Sequence, residues 1–239
     1  YKEDKGAVYW LESTPDTLGK FPFPFRLLVG YLLEENKITV KWRVENLGAM
    51  DMYFQIGAHP AFYFPEFDAA TKDRGFFVFD RKSDLEYIMP TEKGCVSPER
   101  HVLKLNKEGL MPIDIHTFDC DTYIFDNKQL KKITLLDKKK KPHISLEFNS
   151  PLVALWSPTK THPDCPFVCI EPWYGSCDSV GYSGELKDRE WIQKLEPKET
   201  FDVEYKNHYR VIKNNGVCTM SHTPSFLLTD FPNTKISYQ

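Results

Sequence analysis

Two extended runs face each other across a two-residue gap near the front of the chain. Ile38, Val40, Trp42 and Val44 alternate with Lys37, Thr39, Lys41 and Arg43, the pattern of a strand with one buried and one wet face. Only Glu35 and Asn36 separate this run from Arg26–Glu34, which is β-hairpin spacing. A half-buried hairpin needs a second apolar layer, and long helical periodicity is scarce elsewhere in the chain. The covering layer is therefore expected to be more sheet.

The rest of the sequence fits that expectation. Ala7–Leu11, Met52–Ala58, Phe76–Phe79, Glu86–Met89, His101–Leu105, Asp121–Phe125 and Leu130–Leu136 read as strands. So do His143–Phe148, Leu152–Trp156, Pro166–Glu171, Ile192–Leu195 and Thr200–Tyr205. Ser13 or Thr14 can cap one short helical turn that begins at Pro15. Phe21–Phe25 alternates with proline and is stiff and extended. Pro65–Gly75 reads as a loop, Glu108–Thr117 as a connection, and the lysines at 138–141 as a solvated hairpin tip. Many short strands with turn signals between them predict an all-β sandwich or barrel. One domain is expected over residues 1–206, followed at 207–239 by a polar, weakly periodic tail.

Composition narrows the function. The 239 residues carry a net charge of −3, which gives no reason to expect nucleic acid or an anionic membrane as partner. No apolar run is long enough to span a bilayer, and no basic-then-apolar leader opens the sequence. Aromatics make up 14%, which suits a β protein or a carbohydrate surface. Six cysteines are too sparse for a disulfide scaffold and form no Cys-x-x-Cys pair. Cys165, Cys169 and Cys177 cluster near His162, but their spacing matches no common structural zinc pattern. The expectation is no metal, reduced thiols and a cytoplasmic location.

The chemistry concentrates in two stretches. Phe167–Gly175 is an apolar strand that ends on Glu171, Pro172, Trp173 and Tyr174. Phe167, Cys169 and Glu171 share one face, while Val168 and Ile170 share the other. Pro172 is expected to end regular pairing just beyond Glu171. In Met52–His59 the apolar face is Met52, Phe54, Ile56 and Ala58, and the opposite face is Tyr53, Gln55, Gly57 and His59. A face of glutamine, glycine and histidine is polar and roomy, as a ligand surface is. Glu171 and His59 each precede a proline at a strand end. Near neutrality an unperturbed glutamate is ionised and a histidine can supply a proton, so the two form a candidate base–acid pair. The competing reading of Glu171 is a surface carboxylate at a strand end. No Gly-x-Ser-x-Gly, phosphate-binding Gly-rich loop or His-Glu-x-x-His occurs.

These stretches resemble two motifs of the aldose 1-epimerase (galactose mutarotase-like) family. The motifs are Gln55-Ile56-Gly57-Ala58-His59-Pro60-Ala61-Phe62 and Phe167-Val168-Cys169-Ile170-Glu171-Pro172-Trp173-Tyr174-Gly175, and the closer likeness is to the LacX-like branch. Phe21–Leu27, Asp121–Phe125, Leu155-Trp156-Ser157, Gly184-Glu185-Leu186 and Lys194-Leu195-Glu196-Pro197 agree in the same order, from Tyr1 to Tyr205. The resemblance implies a large antiparallel β-sandwich, the galactose mutarotase-like supersandwich, with a concave sugar-binding sheet and few short helices. It also implies a histidine and an arginine upstream of Tyr1, outside this sequence.

By that resemblance the activity is an isomerase reaction, the exchange of α and β anomers of a hexose through ring opening. Glu171 takes the proton of the anomeric hydroxyl, and His59 protonates the ring oxygen. Asp121 (Asp119 if the alignment slips by two), Trp173, Phe62 and Gln55 are the expected substrate-binding residues. No cofactor or metal is needed, because the substrate is already a hemiacetal, and a small sugar is the expected partner of a monomer or dimer. Two alternatives stay open. One is a hexose-6-phosphate 1-epimerase, with Arg26, Arg43 or Arg74 as the phosphate cation. The other is a non-catalytic sugar-binding or regulatory protein on the same fold. A purely structural β module predicts instead that Glu171 and His59 lie far apart.

Overall fold

The computed structural model of the chain describes residues 5–91, 94–214 and 217–220. Strand β1 (Gly6–Glu12) leads into a single helical turn, α1 (Pro15–Leu18). Thr14 caps that turn reciprocally: its hydroxyl accepts from the Thr17 N–H at 3.3 Å, and its own N–H donates to the Thr17 hydroxyl at 2.7 Å. The hairpin follows as β2 (Phe25–Glu34) and β3 (Lys37–Asn46), with Glu34 opposite Lys37 and Glu35 at φ 49°. Ile38, Val40, Trp42 and Val44 are all buried, as their spacing predicts.

Three short strands come next: β4 (Met52–Phe54), β5 (Ile56–Gly57) and β6 (Ala61–Tyr63). They are followed by β7 (Asp73–Phe79), β8 (Leu85–Tyr87), β9 (His101–Leu103), β10 (Leu110–Asp114) and β11 (Tyr123–Phe125). Then come β12 (Lys132–Leu136), β13 (Pro142–Phe148), β14 (Leu152–Trp156) and β15 (Phe167–Tyr174). The chain continues through β16 (Gln193–Leu195), β17 (Thr200–Tyr209), β18 (Val211–Asn214) and β19 (Val217–Met220).

The strands build two principal sheets, and every pairing between these strands is antiparallel. The larger has eight strands in the order β1-β2-β3-β17-β13-β12-β7-β10. The smaller runs β11-β14-β15-β5, with β6 also paired to β15. Their facing sides form one core. The large sheet contributes Trp42, Phe77, Ile133, Leu135 and Leu146, and the small sheet contributes Val153, Leu155, Val168 and Ile170. Burying each such side chain stabilises the fold by roughly 1.5–3 kcal/mol. Val168 and Ile170 point into this core, so Cys169 and Glu171 are turned to the other face of the small sheet. The predicted all-β antiparallel sandwich is therefore the fold. Among the described residues no helix is long and apolar enough to cross a membrane.

Four local expectations change. The strand over 52–58 is broken: β4 pairs with β16, whereas β5 pairs with β15, and Gln55 sits at the change of partner. Residues 110–114, expected as connection, form β10 on the sheet edge, where Pro112 is tolerated. Strand β6 is too short for periodicity to reveal. Pro172 does not end the pairing, since it stands opposite Val153 and β15 runs on to Tyr174. Its carbonyl accepts from Ala58 N–H at 3.1 Å, so its missing N–H falls on the side of two-residue β5, not on the β14 ladder.

The stretch expected as a tail begins inside β17. Asn207 lies opposite Ile38, and Asn36 donates from its side chain to the Tyr209 carbonyl at 2.9 Å. Strands β18 and β19 pair with each other, and the remainder of that stretch lies outside the described residues.

Candidate active site

The outer face of the small sheet carries a cavity of about 620 Å³. Its floor is Glu171, in mid-β15 opposite Ala154 of β14, with only 3% of its side chain exposed. Its rim holds His59, two residues beyond β5, with 60% of its side chain exposed. The His59 Nε2 and Glu171 Oε1 atoms lie 3.2 Å apart. The ring of Trp156 meets His59 edge-on at 5.7 Å. Residues far apart in sequence meet because β5 and β14 both pair with β15.

Two glycines shape the walls. A Cβ at Gly57 would come within 2.7 Å of Cδ1 of Trp173, and one at Gly175 within 2.5 Å of the Gln55 Cβ. Both contacts are closer than a side chain permits, so only glycine lets Trp173 and Gln55 lie where they line the cavity. Gln55 donates to the Glu190 carbonyl at 3.2 Å. Arg189 and Asp178 also line the cavity, as an ion pair of 2.8 Å.

Burial sets the protonation of the pair. Removal from water pushes the Glu171 carboxyl up to about 8, with a hydrogen bond from Trp173 opposing part of the rise. Burial also pulls the His59 imidazole below its ordinary range. This reverses the order expected from unperturbed values: near neutrality the single proton of the pair favours Glu171. The two groups titrate as one unit that carries one proton between the two values.

Gln55, His59, Glu171 and Trp173 all line the cavity, as the sequence suggests. Asp121 and Phe62 do not. Asp121, at φ 83°, turns its carboxylate back to accept from the N–H and hydroxyl of Thr122 at 2.7 and 2.8 Å. Asp119 pairs with His116 at 3.0 Å. Phe62 packs in the intersheet core, because the alternation of β6 puts Ala61 and Tyr63, not residue 62, on the outer side. The cysteines and histidine weighed over 162–177 go to different surroundings. Cys165 is buried against Ser157, Cys177 faces the cavity, and His162 bonds Thr161. The arginines considered for phosphate are engaged elsewhere. Arg26 pairs with Glu12 and Glu45, Arg43 with Asp202, and buried Arg74 with backbone carbonyls that include Pro163. Trp156 entered the sequence analysis only within a matched stretch, and Asp178 and Arg189 not at all, since no local pattern marks them as neighbours of His59 or of the cavity.

A sandwich of two antiparallel sheets built in this way is the galactose mutarotase-like fold. The chain belongs to the aldose 1-epimerase family, whose model matches residues 1–191. Protein LacX, encoded on a plasmid of Lactococcus lactis subsp. lactis, is 24% identical over 206 residues, covering 84% of this chain and 68% of LacX. A galactose mutarotase related enzyme from Lactobacillus acidophilus superposes with a TM-score of 0.78 at 23% identity, over 88% of this chain and 69% of its own. A galactose mutarotase-like protein from Lactobacillus casei gives 0.74 at 23% identity, over 87% and 71%.

Proposed function

We propose that the protein interconverts the α and β anomers of an unphosphorylated hexose, using Glu171 and His59 as its acid–base pair. The observation that carries this reading is the 3.2 Å contact between His59 Nε2 and Glu171 Oε1 at the floor of a sugar-sized cavity. The two groups touch directly, with no pyranose-wide gap between them. That suits the chemistry, because the two oxygens that exchange protons, the anomeric hydroxyl and the ring oxygen, share one carbon.

The balance of the step is simple. With the proton on His59, Glu171 takes the hydroxyl proton, the C1–ring oxygen bond breaks, C1 becomes a carbonyl carbon, and His59 protonates the departing ring oxygen. The pair is left with its proton on Glu171, the tautomer that burial favours. Rotation about C1–C2 and reversal of the transfers closes the other anomer. Each transfer contributes on the order of 10²–10⁴-fold. Trp173 offers a flat apolar plate beside the ring. Asp121 gains no support as a hydroxyl ligand from its position off the cavity wall. Among the described residues the one arginine lining the cavity, Arg189, is already paired with Asp178, which supports a neutral sugar over a phosphorylated one.

The test is polarimetry on freshly dissolved α-glucose, α-galactose and α-glucose 6-phosphate. Wild-type protein should speed equilibration of the neutral sugars, and Glu171→Gln and His59→Gln should each lose at least about 10²-fold. Saturable sugar binding with no acceleration would instead select the non-catalytic sugar-binding reading.

A further inference from the structure

We propose that His59, Cys169 and Glu171 form a reversible Zn²⁺ site, and that the bound ion switches the acid–base pair off. One donor atom from each of the three lies within 4.8 Å of the others. Cys169 and Glu171 occupy alternate positions of β15 and share its outer face, while His59 reaches in from beyond β5. The donor set of imidazole nitrogen, thiolate sulfur and carboxylate oxygen suits zinc and other borderline-soft ions, not magnesium or calcium.

The geometry is near what zinc needs. With bonds of ~2.0–2.3 Å, tetrahedral neighbours stand about 3.3–3.8 Å apart. The His59–Glu171 contact of 3.2 Å is already at that scale. No donor pair stands more than 4.8 Å apart, so at most about 1 Å remains to be closed. Three protein donors leave the fourth position open to the cavity, as in zinc sites that keep a water. Cys169 has no part in the proton transfers. It is also turned away from the intersheet core that holds its neighbours Val168 and Ile170.

One term works against binding. Zinc takes a thiolate and a carboxylate, so each ion that binds must release the protons that Cys169 and Glu171 carry. Two of the three ligands are the acid–base pair itself, and one of them, His59, reaches in from the exposed rim, so an ion held here is exchangeable and inhibitory. Zinc engages both members of the pair, so it competes with the sugar. This last consequence rests on the proposed function, whereas binding itself does not.

The experiment uses metal-free full-length chain titrated with Co²⁺, whose thiolate charge-transfer band reports sulfur ligation, and with Zn²⁺ during polarimetry. One ion should bind per chain with a thiolate band, and Zn²⁺ should abolish catalysis, with EDTA restoring it. Cys169→Ser should keep its activity without metal, lose the band, and need at least about tenfold more Zn²⁺ for inhibition. Should Cys169→Ser fail to fold, His59→Gln, altered at the exposed rim, should still weaken Co²⁺ binding at least about tenfold. A band that persists in Cys169→Ser, or unchanged affinity in His59→Gln, overturns the site. A wild-type chain that shows the band but no epimerase activity leaves the site standing and removes the proposed function.

Discussion

Trp173 stands two positions beyond Glu171 on the same face of β15, where its indole N–H favours the charged carboxylate and offsets part of what burial costs it. One side chain thus walls the cavity and also steadies the buried base. A hydrogen bond to a charged group contributes about 1.5–3 kcal/mol. Trp173→Phe keeps the plate and removes the donor. It should lower kcat/KM by about ten- to a hundredfold and move the alkaline limb of the pH–rate profile upward. A tryptophan that served only as a plate would change KM and leave that limb in place.

The pair needs one proton to work, so the pH–rate profile of kcat/KM should be bell-shaped. The acid limb falls below the ordinary histidine range, where His59 and Glu171 both hold protons. The alkaline limb falls near 8, where the last proton leaves Glu171. Stopped-flow polarimetry between pH 4 and 10 reads the profile, and an alkaline limb at the ordinary histidine value, with the acid limb at the ordinary glutamate value, would contradict the buried base.

Burial of Glu171 also links stability to pH. Its folded pKa of about 8 lies above that of an unfolded glutamate, so the folded state is favoured while both states are protonated. That advantage fades as pH rises through the unfolded value and is gone above about 8. Glu171→Gln cannot ionise and escapes this loss. Its melting temperature should be close to wild type at pH 4 and should exceed it increasingly up to pH 8, with a plateau beyond. A constant offset across that range would place the carboxylate in water.

Gly57 and Gly175 should resist substitution for different reasons. Gly57→Ala collides with the Trp173 ring, a side chain that can shift, at about 1–3 kcal/mol of stability and with loss of the cavity wall. Gly175→Ala meets the Cβ, Cγ and Cδ of Gln55 together, with φ at +157°. Urea unfolding should show both variants destabilised. The rise in KM should be larger for Gly57→Ala, whose wall stands nearer the base.

Much of the architecture was legible locally. The alternation over residues 37–44 reports which side of β3 faces the core, and Thr14 with Pro15 reports where a turn begins. The break at Gln55 was not legible, because Met52–Ala58 alternates smoothly and only the change of partner from β16 to β15 divides it. Pro112 hid β10 by looking like a connection, while its edge position makes proline harmless. Phe62 and Asp121 sit in motifs that resemble a sugar site, yet one fills the core and the other binds its own neighbour.

The sequence by itself determined the β class, the buried and wet faces of its strands, and the two stretches that carry an imidazole and a carboxylate, since these follow from residue type and a period of two. Only the tertiary structure decided that His59 and Glu171 touch, that Arg189 and Asp178 line the same cavity, and that the proton of the pair favours the carboxylate. The reason is physical. Strand pairing between distant segments leaves no local mark, and the cost of holding a charge depends on what surrounds it once the sheets have closed.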